Sequence, residues 1–145
     1  MRTARSKIEL LRSVPGLTTL GERDLARLAP LFDDIRIDVG KVLVREGQSS
    51  HELVLIVEGS AELTRGGNTV GAVGPGDFLG ETAVLDRAAH TATATAATPM
   101  RILLAGRESF GKLRSEPDVL RQIALHLAGR LRVYEDARTP AGTAA

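Results

Sequence analysis

The sequence predicts a mainly β domain with helical segments at both ends. Nine of the 15 glycines fall between Gly40 and Gly80, and short apolar runs fill the gaps between them. Short strands separated by turn residues are typical of a β-sandwich, a jelly roll or a barrel. Before and after this region, apolar residues recur with a period near 3.6, which indicates a helix on each side.

The composition fits one globular domain and excludes several classes of protein. The chain has 145 residues, 43% hydrophobic and 26% charged, with a formal net charge of +1. A nearly neutral chain carries no overall signature of nucleic-acid or anionic-membrane binding. With no cysteine, a disulfide framework, a zinc finger and a thiol nucleophile are all excluded. No apolar run reaches the roughly 20 residues that cross a bilayer, and Met1–Leu11 lacks a signal-peptide core, so we expect a cytoplasmic protein.

The domain is predicted to occupy residues 1–135. Its helical lead-in spans about residues 6–32, where Thr19 and Glu22 have the spacing of a capping box. An apolar stripe follows, formed by Leu25, Leu28, Ala29 and Phe32.

The β-body is predicted at about residues 35–105. Thr91–Ala96 alternates strictly between threonine and alanine, as a strand with one buried face does. The other predicted strands are Ile35–Val39, Val42–Val44, Leu53–Val57, Ala61–Leu63, Thr69–Val73 and Arg101–Leu104.

The C-terminal helices are predicted at about residues 107–135. Ser115 can cap the last of them, and an apolar stripe then runs from Leu120 to Tyr134. Residues 136–145, rich in Ala, Thr, Pro and Gly, are expected to form a flexible tail.

One loop has the composition of an anion site. Gly74, Gly76 and Gly80 lead into a predicted short helical turn that begins near Glu81. The first amides of such a turn have no intrahelical partner, and a glycine lets a phosphate approach the backbone. The alternative is that these glycines only serve turns.

Residues Phe78–Ala92 resemble the phosphate-binding cassette of cyclic nucleotide-binding domains, of the catabolite activator and protein kinase A regulatory subunit type. The family pattern is Phe-Gly-Glu-x-Ala-Leu, a short loop, and then Arg-Ser/Thr/Ala-Ala. Gly80–Ala83 matches the first half and Thr91–Ala92 the end. The resemblance covers roughly residues 10–135 and implies a double-stranded β-helix, or jelly roll, with a helical lead-in and a long C-terminal helix.

The resemblance also implies a role for each cassette residue. Glu81 would accept a hydrogen bond from the ribose 2′-hydroxyl. Gly80, Thr82 and Ala83 would offer backbone amides to the cyclic phosphate or let it approach the main chain closely. Thr91 would place a hydroxyl near the phosphate or the base. The implied protein is a stand-alone cyclic nucleotide sensor without a metal, whose ligand is cyclic AMP or, alternatively, cyclic GMP.

The chain departs from the family at His90, where the pattern has an arginine. A guanidinium holds two phosphate oxygens and stays charged, whereas imidazole is mostly neutral near pH 7. Two residues could restore the charge: Arg87, three positions earlier in the loop, or protonated His90 itself. The third possibility is that no cyclic nucleotide binds and the domain is a scaffold or dimerisation module.

The C-terminal helix is the expected cover of the base. Tyr134 could stack on adenine, with closure of the helix as the signal to an unknown downstream protein; alternatively, Leu131 and Tyr134 only continue the core stripe. A second partly apolar face on this helix would suit a homodimer.

Two rival functions are less well supported by the sequence. A cupin-type metal enzyme gathers histidines, but His51, His90 and His126 form no close pair, so no enzyme is predicted. About ten residues follow Tyr134, too few for a helix-turn-helix, so no DNA-binding module is predicted either.

Overall fold

A computed structural model describes residues 6–14, 20–49, 51–80 and 89–115, together with residues 117 and 121. The described elements are, in chain order, helices α1 (Lys7–Arg12) and α2 (Glu22–Leu28), a 3-10 turn (Ala29–Leu31), strands β1 (Asp33–Ile37), β2 (Val42–Val44), β3 (Leu53–Glu58), β4 (Ala61–Arg65), β5 (Asn68–Val73), β6 (Phe78–Leu79), β7 (Thr93–Ala96) and β8 (Met100–Ala105), and helix α3 (Arg107–Arg114). Apart from residues 117 and 121, the predicted long C-terminal helix and the tail lie outside the described residues.

The strands form two four-stranded antiparallel sheets. One, which we call the helix-side sheet, has the order β1-β8-β3-β6, and the other, the outer sheet, has the order β2-β7-β4-β5. Successive strands repeatedly cross from one sheet to the other, which is the wrapping of a jelly roll. The predicted mainly β, jelly-roll fold class is confirmed.

Two apolar cores lie on opposite faces of the helix-side sheet. Leu53 and Leu55 of β3 pack against the helical lead-in, whereas Val54 and Ile56 pack against the outer sheet. Because both faces are covered, β3 is a continuous apolar run and does not alternate.

A tight hairpin joins β4 to β5. Gly66 and Gly67 have φ values of 58° and 82°, the positive angles that a two-residue type I′ turn requires. Val70 is an extra residue in β5, because Leu63 pairs with Gly71 and the next pair joins Thr64 to Thr69. The register of β4 against β7 stays regular.

The helical lead-in differs from the prediction in how its helices begin. The N-cap of α2 is Gly21, without a side-chain cap, while Thr19 lies outside the described residues. The capping box belongs to α1, where Ser6 Oγ accepts from the Glu9 amide and the Glu9 carboxylate accepts from the Ser6 amide. The same Ser-x-x-Glu pattern is present in the sequence there.

Strand β1 begins at Asp33, two residues before the predicted start, and ends at Ile37. Its early start places Asp34 beside Arg101 of β8, which donates two hydrogen bonds to the carboxylate at 2.9 and 2.7 Å. Arg101 is 8% exposed. Val39, which was predicted to be in this strand, lies in the following turn and is 60% exposed.

The Asp34–Arg101 pair predicts an acid-dependent part of the stability. The hydrogen bonds from Arg101, opposed in part by burial, hold the pKa of Asp34 below its usual value. A depressed pKa contributes stability above the unfolded pKa, and that contribution is lost as the pH falls through the folded pKa. We expect Asp34→Asn to cost about 1.5 kcal/mol at pH 7, the lower end for charged hydrogen bonds because Asp34 is partly exposed.

Urea unfolding of the two proteins at pH 7 and at pH 3 measures this difference. The difference in free energy of unfolding between wild type and Asp34→Asn should be smaller at pH 3 than at pH 7. An equal difference at both pH values would contradict the assigned role of the pair.

Candidate functional site

Gly80 follows β6 and lies near the start of the predicted phosphate cassette, Phe78–Ala92. Its φ is +86°, and a Cβ built on it would lie 2.2 Å from the Glu52 carbonyl oxygen. Only glycine combines this left-handed backbone with so close an approach of two main chains. The structure therefore gives a steric reason for the glycine that opens the cassette motif.

The other end of the cassette is fixed at His90 by its main chain. The His90 amide donates to the Gln48 carbonyl at 2.9 Å, and the Gly47 amide donates to the His90 carbonyl at 2.9 Å. The turn between β2 and β3 thus holds the chain just before it enters β7.

The His90 side chain lies where the family pattern has arginine, and the residue is 7% exposed. Burial lowers the pKa of His90 below its usual value, and the nearby Glu52 carboxylate partly opposes this effect. In the absence of an anion, His90 is therefore predominantly neutral at pH 7. Glu52 is a neighbour of both cassette ends: Gly80 approaches its carbonyl, and its carboxylate acts on His90.

Thr91 and Ala92 continue from His90 into β7. Thr91 is exposed, and its carbonyl accepts a hydrogen bond from Arg65 Nε at 2.9 Å. Ala92 is half-buried.

A cavity of about 250 Å³ lies between the two sheets and includes Glu52 in its lining. Its other described walls are apolar except for Lys41. The lining residues are Ile35, Ile37, Lys41, Val42, Leu43, Glu52, Val54, Ile102 and Leu104.

Four of the nine predicted site residues are described, and five are not. Gly80 lies near the start of the cassette, and His90, Thr91 and Ala92 lie at its end. Glu81, Thr82, Ala83, Arg87 and Tyr134 lie outside the described residues.

Sequence reasoning missed Glu52 and Arg65 as members of this region. Each meets the cassette through a contact between residues far apart in the chain. Neither belongs to a local motif of the site that could have revealed it.

Two features are absent from the part of the chain that the structure describes. Within the described ranges, no three His, Cys, Asp or Glu side chains are grouped as metal ligands. None of the described helices has the length and apolar character needed to span a membrane.

Residues 35–116 match the family model described as the cyclic nucleotide-binding domain. The chain belongs to the cyclic nucleotide-binding domain family. The match begins within β1 and ends after α3, so it includes both ends of the cassette that the structure describes.

Relatives and solved structures of this family agree with the assignment. The chain is 30% identical over 105 residues to a cAMP-dependent protein kinase regulatory subunit of Yarrowia lipolytica, an alignment covering 71% of this chain and 28% of the relative. The regulatory domain of Toxoplasma gondii protein kinase A, solved with cyclic AMP, is 28% identical with a TM-score of 0.63, covering 72% of this chain and 42% of that one.

A third relative is the regulatory subunit of a cAMP-independent protein kinase A from Trypanosoma brucei. A triple variant of it, bound to cyclic AMP in its A site, is 25% identical to this chain with a TM-score of 0.69. The alignment covers 85% of this chain and 45% of that one.

The chain spans about a quarter of the length of the curated regulatory subunits that it matches first. The alignment therefore corresponds to one cyclic nucleotide-binding domain.

Proposed function

We propose that this domain binds cyclic AMP at the end of the sandwich where Gly80 and His90 adjoin Glu52. The observation that best supports this is Gly80, whose left-handed backbone is pressed against the Glu52 carbonyl. This contact fixes the chain at the start of the cassette, directly before the residues whose backbone amides would form the anion site. Glu81 would then accept from the ribose 2′-hydroxyl, and Thr82, Ala83 and Thr91 would complete the contacts to the ligand.

The proposed output is closure of the C-terminal helix over the bound base. Tyr134 would cover the purine by stacking, and the ligand would favour the closed state through its higher affinity for it. The receiver of the signal would be a protein partner, and a homodimer through the same helix remains a prediction.

A non-binding scaffold is the second candidate, and the buried His90 favours it. A guanidinium holds two phosphate oxygens and carries a positive charge, whereas a neutral imidazole brings no charge to a phosphate. The Trypanosoma brucei regulatory subunit belongs to a cAMP-independent kinase, and the form solved with cyclic AMP carries three substitutions, one of them threonine to arginine. A member of the family can therefore keep the fold and serve a kinase that does not respond to cyclic AMP.

Calorimetric titration with cyclic AMP and cyclic GMP at pH 6 and pH 8 separates the two candidates. Burial lowers the pKa of His90 in the free domain, and a bound anion raises it. The complex therefore holds more protonated His90 than the free protein, so affinity should rise as the pH falls, by up to about tenfold per unit. Absence of binding to either nucleotide at both pH values would leave the scaffold as the function.

The same titration distinguishes the two residues that could restore the charge. If His90 supplies it, His90→Ala removes the pH dependence. If Arg87 supplies the charge, the affinity for the nucleotide does not depend on pH. Arg87→Ala then abolishes binding, and His90→Ala changes the affinity little.

A further inference from the structure

Arg65 lies at the end of β4, at a position that faces the space between the sheets. Ala61 and Leu63 pack into the core between the sheets, and side chains alternate along a strand. The pairing of β4 with β7 is regular as far as Thr64, so the alternation along β4 places Arg65 on the same face as Ala61 and Leu63. At the end of the strand this face is open, and Arg65 is exposed.

A set of hydrogen bonds fixes Arg65 beside the cassette exit. Arg65 Nε donates to the Thr91 carbonyl at 2.9 Å, and the adjacent Gly66 amide donates to Glu46 Oε1 at 3.0 Å. The Glu46 amide in turn donates to Thr93 Oγ1 at 2.9 Å. The hairpin tip, the turn at Glu46 and the start of β7 are thus joined, and the guanidinium is held one residue from His90.

The bond to Thr91 uses only Nε of the guanidinium. Among the residues that the structure describes, the two terminal amino groups of Arg65 have no hydrogen-bond partner. A guanidinium is charged at every relevant pH, and its paired amino groups match two oxygens of a phosphate.

We propose that Arg65 contacts the cyclic phosphate with its terminal amino groups and supplies the fixed positive charge that His90 does not. This inference rests on the proposed function, because it requires a cyclic nucleotide in the site. Arg65 contributes at all pH values, and protonation of His90 adds the pH-dependent part. The charge therefore reaches the phosphate from the β4–β5 hairpin.

The test compares Arg65→Gln, Arg65→Lys and Arg45→Gln by calorimetry with cyclic AMP at low salt. Gln keeps a donor for the Thr91 carbonyl but removes the charge, and Lys keeps the charge. Arg45 is the matched control: it is also exposed and near Glu46, but it follows the buried, inward-facing Val44, so alternation directs it away from the space between the sheets.

We expect Arg65→Gln to weaken binding about tenfold or more, equally at pH 6 and pH 8, and to make it less sensitive to salt. Arg65→Lys keeps the charge but loses the paired amino groups, so it should bind more weakly than wild type and more tightly than Arg65→Gln. Arg45→Gln should bind within about twofold of wild type. Thermal unfolding shows whether each variant is folded. If Arg65→Gln does not fold, the affinity of Arg65→Lys is compared with that of wild type.

Two results would overturn the inference while the proposed function stands. The first is wild-type affinity in Arg65→Gln. The second is an equal loss of affinity in Arg65→Gln and Arg65→Lys, which would make Arg65 a residue that only positions Thr91. If the wild-type domain binds no cyclic nucleotide, the proposed function fails and this inference fails with it.

Discussion

Replacing His90 by arginine is expected to raise the affinity for cyclic AMP about tenfold to a hundredfold. The substitution puts the guanidinium of the family pattern at a position whose main chain is already fixed by Gln48 and Gly47. A charged hydrogen bond is worth about 1.5–3 kcal/mol, which corresponds to that range of affinity. Because arginine does not titrate, the variant should also lose the pH dependence between pH 6 and pH 8.

The stability of the variant provides a second measurement. His90 is buried, so an arginine there places a charge in a site with little access to water when no ligand is present. We expect the unfolding temperature of the free variant to fall below that of wild type and to recover in saturating cyclic AMP.

Ser49→Arg is the control, since it adds the same charge at an exposed position of the neighbouring turn. An equal gain in both variants would show only a general electrostatic effect, and no gain in His90→Arg would contradict the placement of the phosphate beside residue 90.

Substituting Gly80 by alanine is expected to remove cyclic AMP binding and to destabilise the domain more than a comparable change elsewhere. The added Cβ would meet the Glu52 carbonyl oxygen at 2.2 Å, and neither atom can rotate away, because the backbone fixes the position of the Cβ and the oxygen is itself main chain. A left-handed backbone costs a non-glycine residue about 1–2 kcal/mol, and overpacking adds about 1–3 kcal/mol. The total expected loss is about 2–5 kcal/mol in the free energy of unfolding.

Gly40 offers a matched control for the backbone contribution. Its φ is +91°, close to that of Gly80, and a Cβ there would meet nothing within 4 Å. Gly40→Ala should therefore cost only the backbone contribution, about 1–2 kcal/mol, and should bind cyclic AMP as wild type does. Urea unfolding and calorimetry of the two variants make the comparison, and equal effects would show that the contact with Glu52 does not matter.

The sequence predicted the parts of the fold that depend on local pattern. The apolar run at Leu53–Val57 and the alternation at Thr91–Ala96 each identified a strand, because the first is buried on both faces and the second on one face. The observed strand β7 begins only at Thr93, since Thr91 and Ala92 belong to the cassette exit.

Predictions were less accurate where a distant residue decides the local structure. The start of β1 follows from its pairing with β8, in which Asp33 lies opposite Leu104, and Asp34 also binds Arg101, 67 positions away. In the site, the glycine motif revealed Gly80, but the contact with Glu52 that requires a glycine exists only in the folded chain. Arg65 lies 26 positions before Thr91, and no pattern in β4 indicates that the two residues meet.

The central claim is that a cyclic nucleotide binds between the two fixed ends of the cassette. Amide NMR of the labelled domain during titration with cyclic AMP tests this most directly. We predict saturable shifts at Gly80, His90 and Thr91, with little change at the distant turn residue Gly40. An unchanged spectrum at millimolar cyclic AMP and cyclic GMP, or shifts confined to residues away from Gly80 and His90, would contradict the claim.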